Sequence, residues 1–325
     1  MKKFSNERDI PTLAAVWLSL DNYDYNDDPR VISTTSLLKS TRQIILGSRN
    51  QGEASVEDIS SRVAATMGTA LHDSIEAAWK SPELANTLMS LGASEAYANS
   101  VSVNPESPTN GIDTYFELRS HKEICGRVVS GKFDAILNGT IQDIKSTGTF
   151  TFTKKTNDDK YIKQLSIYRW LNPTLVTNNV GKIIYIFKDW SSNKALSASP
   201  DKYPHAPIME YEFNLLSLNE TEAFIIKKLT EIDKFKDADD SDLPLCTEED
   251  LWRDAPEYKY YAKPDAKRAT KNFGNDPAAA YAFMRSKGGI GMVIEIPSEP
   301  KACLWCSAPK CSQRDVFIAN GSLKV

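Results

Sequence analysis

Val128-Val129-Ser130-Gly131-Lys132-Phe133-Asp134-Ala135-Ile136-Leu137 runs into Asn138-Gly139 and continues as Thr140-Ile141-Gln142-Asp143-Ile144-Lys145. Asn-Gly suits both positive-φ positions of a two-residue type I′ turn, so the stretch predicts a tight β-hairpin. A two-residue loop fixes the register: Leu137 faces Thr140, Asp134 stands opposite Asp143, and Lys132 opposite Lys145. Period-two alternation sets Asp143 and Lys145 on one face. Facing carboxylates repel, at roughly 0.2–1 kcal/mol on an exposed sheet, and a divalent cation between them reverses the sign. An Asp-x-Lys on a strand is ordinarily a solvated face. Here the facing acids gain nothing as surface charge, and Ile141 and Ile144 mark a strand that buries part of its surface. Carboxylate oxygens held together are hard ligands for Mg²⁺ or Mn²⁺, and a lysine two residues on is placed to orient or deprotonate water at such an ion.

Downstream, the run from about Lys160 to Leu171 predicts a helix on which Gln164 and Tyr168, one turn apart, share a face. Gly131-Lys132-Phe133-Asp134, Asp143-Ile144-Lys145 and Gln164-Leu165-Ser166-Ile167-Tyr168, in that order and spacing, resemble the G-x-x-D, D-x-K and Q-x-x-x-Y motifs of the PD-(D/E)XK nucleases. The branch is that of the RecB-like exonucleases, which include CRISPR-adaptation nucleases and many phage exonucleases. The resemblance implies an α/β fold with a restriction-endonuclease-like core, a central mixed sheet flanked by helices. It also implies metal-binding acids at Asp134 and Asp143, a catalytic lysine at Lys145, and a supporting pair at Gln164 and Tyr168. The proline that names the motif is absent, since Phe133 precedes Asp134.

Upstream, Ser55-Val56-Glu57-Asp58 reads as a capping-box-like helix start, followed by Ile59, Val63, Met67, Leu71 and Ile75 at four-residue spacing, an expected core stripe. The adjacent row carries Gly68, His72 and Glu76; the glycine is expected to admit a neighbouring backbone. A lone histidine beside an apolar stripe is ordinarily structural. The segment Gly68 to His72 is similar to the G-x-x-x-H element of RecB-like nucleases, which implies that His72 ligates the metal and that manganese suits the site. His121 and His205 read as surface groups. Glu117 stands where relatives often carry an acid ahead of the G-x-x-D strand; pairing with Arg119 or Arg127 is the alternative. Ser146-Thr147-Gly148-Thr149, with Lys154 and Lys155, forms a hydroxyl-rich basic loop that reads equally as a phosphate contact or as solvated chain.

Cys303, Cys306 and Cys311 give C-x2-C-x4-C, and Cys246 lies upstream. Four thiols in a chain without a recognisable secretion signal read as a ligand set rather than as disulfides, for zinc or for a cubane cluster. The layout of one distant and three clustered cysteines is similar to the iron-sulfur members of the same branch, which implies a 4Fe-4S cluster; structural Zn²⁺ remains the alternative. In those relatives the remote cysteine precedes the histidine motif, whereas Cys246 follows the catalytic segment. Cys125 reads as a small core residue.

At 325 residues, with 41% apolar and 25% charged residues, the chain is long enough for a sizeable core with appendages. The net charge of −4 counts against a general nucleic-acid binder without excluding a nuclease whose basic residues line only a channel. Met1-Lys2-Lys3 and Ile10 to Leu20 have the outline of a secretion signal, but Glu7, Arg8, Asp9 and Pro11 interrupt it. No other stretch could span a bilayer, so a cytoplasmic protein is expected.

Three regions are expected: an N-terminal helical segment at 1–54, with a helix near Thr35 to Leu46; a nuclease core at 55–236; and a cysteine-cluster module at 237–325. Lys182 to Lys188 reads as a central strand, Glu222 to Lys236 as an amphipathic helix, Asp237 to Asp242 as a solvated linker, and Gly288-Gly289-Ile290-Gly291 as a turn before a strand. The functional expectation is a metal-dependent DNA exonuclease, with His72, Asp134, Asp143 and the Ile144 carbonyl holding Mn²⁺ or Mg²⁺. A phage-encoded role in DNA recombination or processing, with a recombinase or helicase partner, follows from the resemblance alone. The alternative is a DNA-end-binding or adaptor protein with the same fold and little catalysis.

Overall fold

The Asn138-Gly139 reversal lies in the middle of the larger sheet of the computed structural model, which describes residues 3–20, 28–49, 56–308 and 310–324. Both turn residues have positive φ, 46° and 75°, and Leu137 pairs with Thr140. A Cβ on Gly139 would lie 2.2 Å from Thr177 Oγ1, so sterics and backbone alike require glycine there. Met1, Lys2 and Ser55, on which the readings of the N-terminal run and the helix start partly rest, lie outside the described residues.

The chain divides into two compact units: Met1–Leu38 with Glu53–Leu229, and Lys39–Gly52 with Thr230–Val325. In the first, six strands form a mixed sheet in the spatial order Ile208–Asn214, Val180–Phe187, Thr140–Thr147, Ala135–Leu137, Ile112–Phe116, Val101–Val103. Val180–Phe187 runs parallel to Thr140–Thr147, and Gly181, Ile183, Tyr185 and Phe187 of its alternation are fully buried. The helix Asp158–Leu171 lays Tyr161, Leu165 and Tyr168 into the same core as Phe133, Ile136 and Ile141. Each such side chain stabilises the fold by roughly 1.5–3 kcal/mol.

Extrapolating the hairpin register back to Lys132 fails. Past Ala135 the chain turns at Phe133-Asp134 into a separate three-stranded sheet, where Arg127–Lys132 pairs with Val31–Ser33 and Arg119–Ile124. Lys132 therefore faces Arg119, not Lys145. The ladder stops because the Asp134 side chain, not a backbone carbonyl, accepts the Ile144 N–H at 2.7 Å. Cys125 is also placed otherwise than expected: with Gly126 it forms a second positive-φ turn, φ 51° and 70°, and is exposed.

The expected helix near Thr35 to Leu46 is two helices, Thr34–Leu37 and Thr41–Arg49. Ser40 starts the second through a reciprocal cap, its Oγ accepting from Gln43 N and its N–H donating to Gln43 Oε1, each at 3.2 Å. This second helix belongs to the second unit, where Ile45 and Leu46 pack with Leu243 and Ala308. That unit also holds a sheet in the order Lys271–Asn272, Glu257–Tyr261, Met292–Ile296, entered through positive-φ glycines at 288, 289 and 291. The acidic run at 237–242 is not merely solvated: the Asp240 carboxylate binds Arg42 and accepts the Ser312 N–H.

The histidine helix is Val63–Trp79, preceded by a 3₁₀ turn at Ile59–Arg62 that Asp58 caps through Ser60 N. Of its expected core stripe only Ile59, in the 3₁₀ turn, is buried: Val63 and Met67 are exposed, Leu71 and Ile75 only half-buried, and no residue of the helix itself is fully buried. Trp79 ties it to the sheet through Phe116, ring centroids 5.4 Å apart. Among the described residues nothing lies within 4 Å of a Cβ on Gly68, so none of them makes the backbone contact expected there. Among the described residues no helix is long and apolar enough to cross a membrane.

Candidate active site

Two chain junctions and one helix bring the acidic groups together. Glu117 sits between strands Ile112–Phe116 and Arg119–Ile124 in the left-handed region, φ 55°, and its N–H donates to the Asp134 carbonyl at 3.2 Å. The two junctions thus lie side by side, and the helix Val63–Trp79 brings His72 over them. His72 Nδ1 stands 3.6 Å from Glu117 Oε1 and 3.5 Å from Asp134 Oδ1, with Nε2 at 3.3 Å from the Ile144 carbonyl. One ligand atom from each of His72, Glu117 and Asp134 falls within a mutual 4.8 Å. Non-glycine residues in this backbone region carry strain of order 1–3 kcal/mol and concentrate at functional sites.

Asp143 is placed one step beyond the paired residues Ala135 and Gln142, across from Asp134. It is 1% exposed and held on both oxygens, with Gln164 Nε2 donating to Oδ1 at 2.9 Å and Lys145 Nζ 2.5 Å from Oδ2. Gln164 also donates to Tyr168 Oη at 3.2 Å. The Gln164 amide therefore holds the aspartate. Gly131 shows why this strand carries no side chain there: a Cβ would lie 2.7 Å from Leu171 Cδ1 and from Thr34 Oγ1, and 3.0 Å from Tyr168 Cδ1.

The charges perturb one another. Burial and the neighbouring Asp143 push the Asp134 carboxyl up to about 7, against the pull of His72 and Lys145. Burial works against charge on His72, but its bond to Glu117 and the charges of Asp134, Glu117 and Asp143 raise it to about 9. Burial alone would raise Glu117, yet His72 and Lys132 hold it low; Lys132 Nζ is 2.6 Å from Oε2. Lys145 is disfavoured as a cation by burial and favoured by Asp143 and Asp134, with a net rise that keeps it protonated as a donor.

Among the sequence's candidates, His72, Asp134, Asp143, the Ile144 carbonyl, Lys145, Gln164 and Tyr168 are thus interlinked. Glu117 joins the tightest trio and pairs with His72 and Lys132. In the hydroxyl-rich loop, Thr149 is engaged by Asp189, whose carboxylate accepts from Thr149 N at 2.7 Å and from Thr149 Oγ1 at 3.2 Å. His121 and His205 are exposed.

Within the second unit, Cys246, Cys303, Cys306 and Cys311 line one cavity with Arg42 and Gln43. Among the described residues no three of these sulfurs lie within 4.8 Å of one another. Burial raises the thiols of Cys246 and Cys303, the latter to about 11 with the other three cysteines adding to the rise.

No protein-family model matches the chain, and no curated protein matches it. Three similar solved structures are a protein titled SSO0001, an alkaline exonuclease of Laribacter hongkongensis, and a phage-related exonuclease of Haemophilus somnus 129PT. The first is 20% identical with a TM-score of 0.40, over 66% of this chain and 80% of that one. The second is 13% identical with a TM-score of 0.31, over 64% and 92% respectively. The third is 15% identical with a TM-score of 0.26, over 61% and 92%.

Proposed function

We propose that the protein is a divalent-metal-dependent deoxyribonuclease that degrades DNA from its ends. The observation that carries this reading is the convergence of one imidazole and two carboxylates within 4.8 Å beside an aspartate that a lysine and a glutamine hold. The donor set fits Mn²⁺ or Mg²⁺: hard oxygens from Glu117, Asp134, Asp143 and the Ile144 carbonyl, with one nitrogen from His72. Burial and the neighbouring Asp143 push Asp134 up to about 7, and a bound cation would relieve both. When bound, such an ion supplies the charge that polarises a phosphoryl oxygen and acidifies a water.

The protein's own groups do the rest. Gln164 fixes the rotamer of Asp143, Tyr168 backs Gln164, and Lys145, protonated, presents N–H donors to a water or to phosphate charge as it develops. Four thiols in one cavity support the further reading that a 4Fe-4S group holds the C-terminal segment. A role in DNA recombination or processing belongs to the same proposal.

The test uses end-labelled linear duplex with Mn²⁺ or Mg²⁺ and closed circular DNA as the control. The parent protein should digest the linear form and spare the circle. Asp143→Ala and Lys145→Ala should each abolish digestion while leaving DNA binding largely intact. Variants that digest at the parental rate would sink the assignment, and a parent that binds ends without digesting them would favour an adaptor. Anaerobically purified protein should be brown, with iron and sulfide; colourless protein holding zinc would overturn the cluster.

A further inference from the structure

We propose that one turn of the helix Thr41–Arg49 tunes the cysteine-held group, with Ser40, Arg42 and Gln43 each donating a hydrogen bond to a different sulfur and so raising its reduction potential. The inference rests on the iron-sulfur reading above.

Ser40 Oγ lies 3.2 Å from Cys246 Sγ, Arg42 Nη1 3.5 Å from Cys311 Sγ, and Gln43 Nε2 4.0 Å from Cys306 Sγ. The reciprocal cap explains why these donors point at sulfur. Ser40 Oγ accepts from Gln43 N, which leaves its proton for Cys246; Gln43 Oε1 accepts from Ser40 N, which leaves its amide protons for Cys306. Arg42 is 1% exposed and cannot swing away. Its Nε donates to the Pro244 carbonyl at 3.1 Å and its Nη2 to the carbonyls of Asp240 and Leu243 at 2.7 and 3.0 Å, which leaves Nη1 for Asp240 Oδ1, Ser312 Oγ at 3.4 Å and Cys311.

A reduced cluster carries more negative charge on its thiolates than an oxidised one, so N–H and O–H donors at sulfur stabilise the reduced state more. The helix N-terminus adds partial positive charge in the same sense. The couple is a one-electron exchange with an external low-potential reductant, with no bond made or broken. A purely structural set of residues would change stability and leave the potential alone.

The experiment is an anaerobic potentiometric titration of the full chain, followed by electron paramagnetic resonance, with iron and sulfide measured on each sample. Gln43→Glu keeps the cap acceptor and removes the donor but adds a charge that lowers the potential by itself, so the neutral double variant is the decisive one. At the potential where the parent is half reduced, Gln43→Glu and the double variant Ser40→Ala/Gln43→Leu should show a reduced-to-oxidised ratio about tenfold lower, a shift of roughly 59 mV for one electron. Arg42→Lys is read alongside for stability, because Arg42 also ties the loop carbonyls. Full iron and sulfide with an unmoved potential in the double variant would overturn this inference alone. Zinc in place of iron in the parent would overturn the cluster reading and this inference with it.

Discussion

Asp134 holds its proton up to about pH 7 and His72 holds its own up to about pH 9, so the metal-free protein carries a pH dependence of known sign. A carboxyl that titrates near 4 when unfolded and near 7 when folded makes the folded state lose stability as pH rises through that window. A histidine raised from about 6.5 contributes stability that is full below that value and lost as pH rises through 9. Both act in one direction. In chelator, the melting temperature should fall between pH 5 and pH 9, by about 2–4 °C for each kcal/mol lost, and Asp134→Asn should flatten the acidic half of that fall. Mn²⁺ should restore the parent at pH 8 and leave Asp134→Asn nearly unmoved; equal rescue of both would place the ion elsewhere. Gln164→Leu tests the support of Asp143. It leaves a buried carboxylate oxygen without its donor, which costs about 1–3 kcal/mol, and loss of such a partner lowers activity about 10–100-fold. Digestion at the parental rate would show that Gln164 only packs.

At the scale of elements, the contact between strand Arg127–Lys132 and helix Asp158–Leu171 runs through Gly131, where Leu171, Thr34 and Tyr168 already occupy the space of a Cβ. Gly131→Ala should cost about 1–3 kcal/mol by overpacking, read as a lower denaturation midpoint with the slope unchanged. It should also lower activity, because the displaced helix carries Gln164. The hairpin, the helix after it and the strand Val180–Phe187 were legible because turn chemistry, alternation and apolar runs are local properties. Glu117 was harder to rank, since its place depends on a left-handed backbone at a strand junction, which sequence patterns reserve for glycine and asparagine. The false Lys132–Lys145 pair has a related cause: a ladder extrapolates only until a side chain takes over a backbone bond, as Asp134 does at Ile144. The helix Val63–Trp79 has the right period and the wrong burial, because four-residue spacing reports a shared face and not what covers it.

For the whole molecule, the division into two units could not be read from order along the chain, because residues 39–52 fold with 230–325. Arg42 meets Pro244 across 202 positions and Cys311 across 269, separations that no local pattern encodes. A chain ending at residue 236 keeps His72, Glu117, Asp134 and Asp143 but removes Leu243 and Ala308, which cover Ile45 and Leu46. Such a truncation should bind an apolar dye and aggregate, and polar substitution of Ile45 and Leu46 should restore its solubility; a monodisperse truncation without those changes would contradict this packing. The same connectivity orders events in time. At about 5–20 residues per second, Arg42 leaves the ribosome on the order of tens of seconds before Cys311. The first half of the cysteine pocket must therefore wait in the nascent chain until the last of the polypeptide is made, so the pocket can close only as a late step of folding.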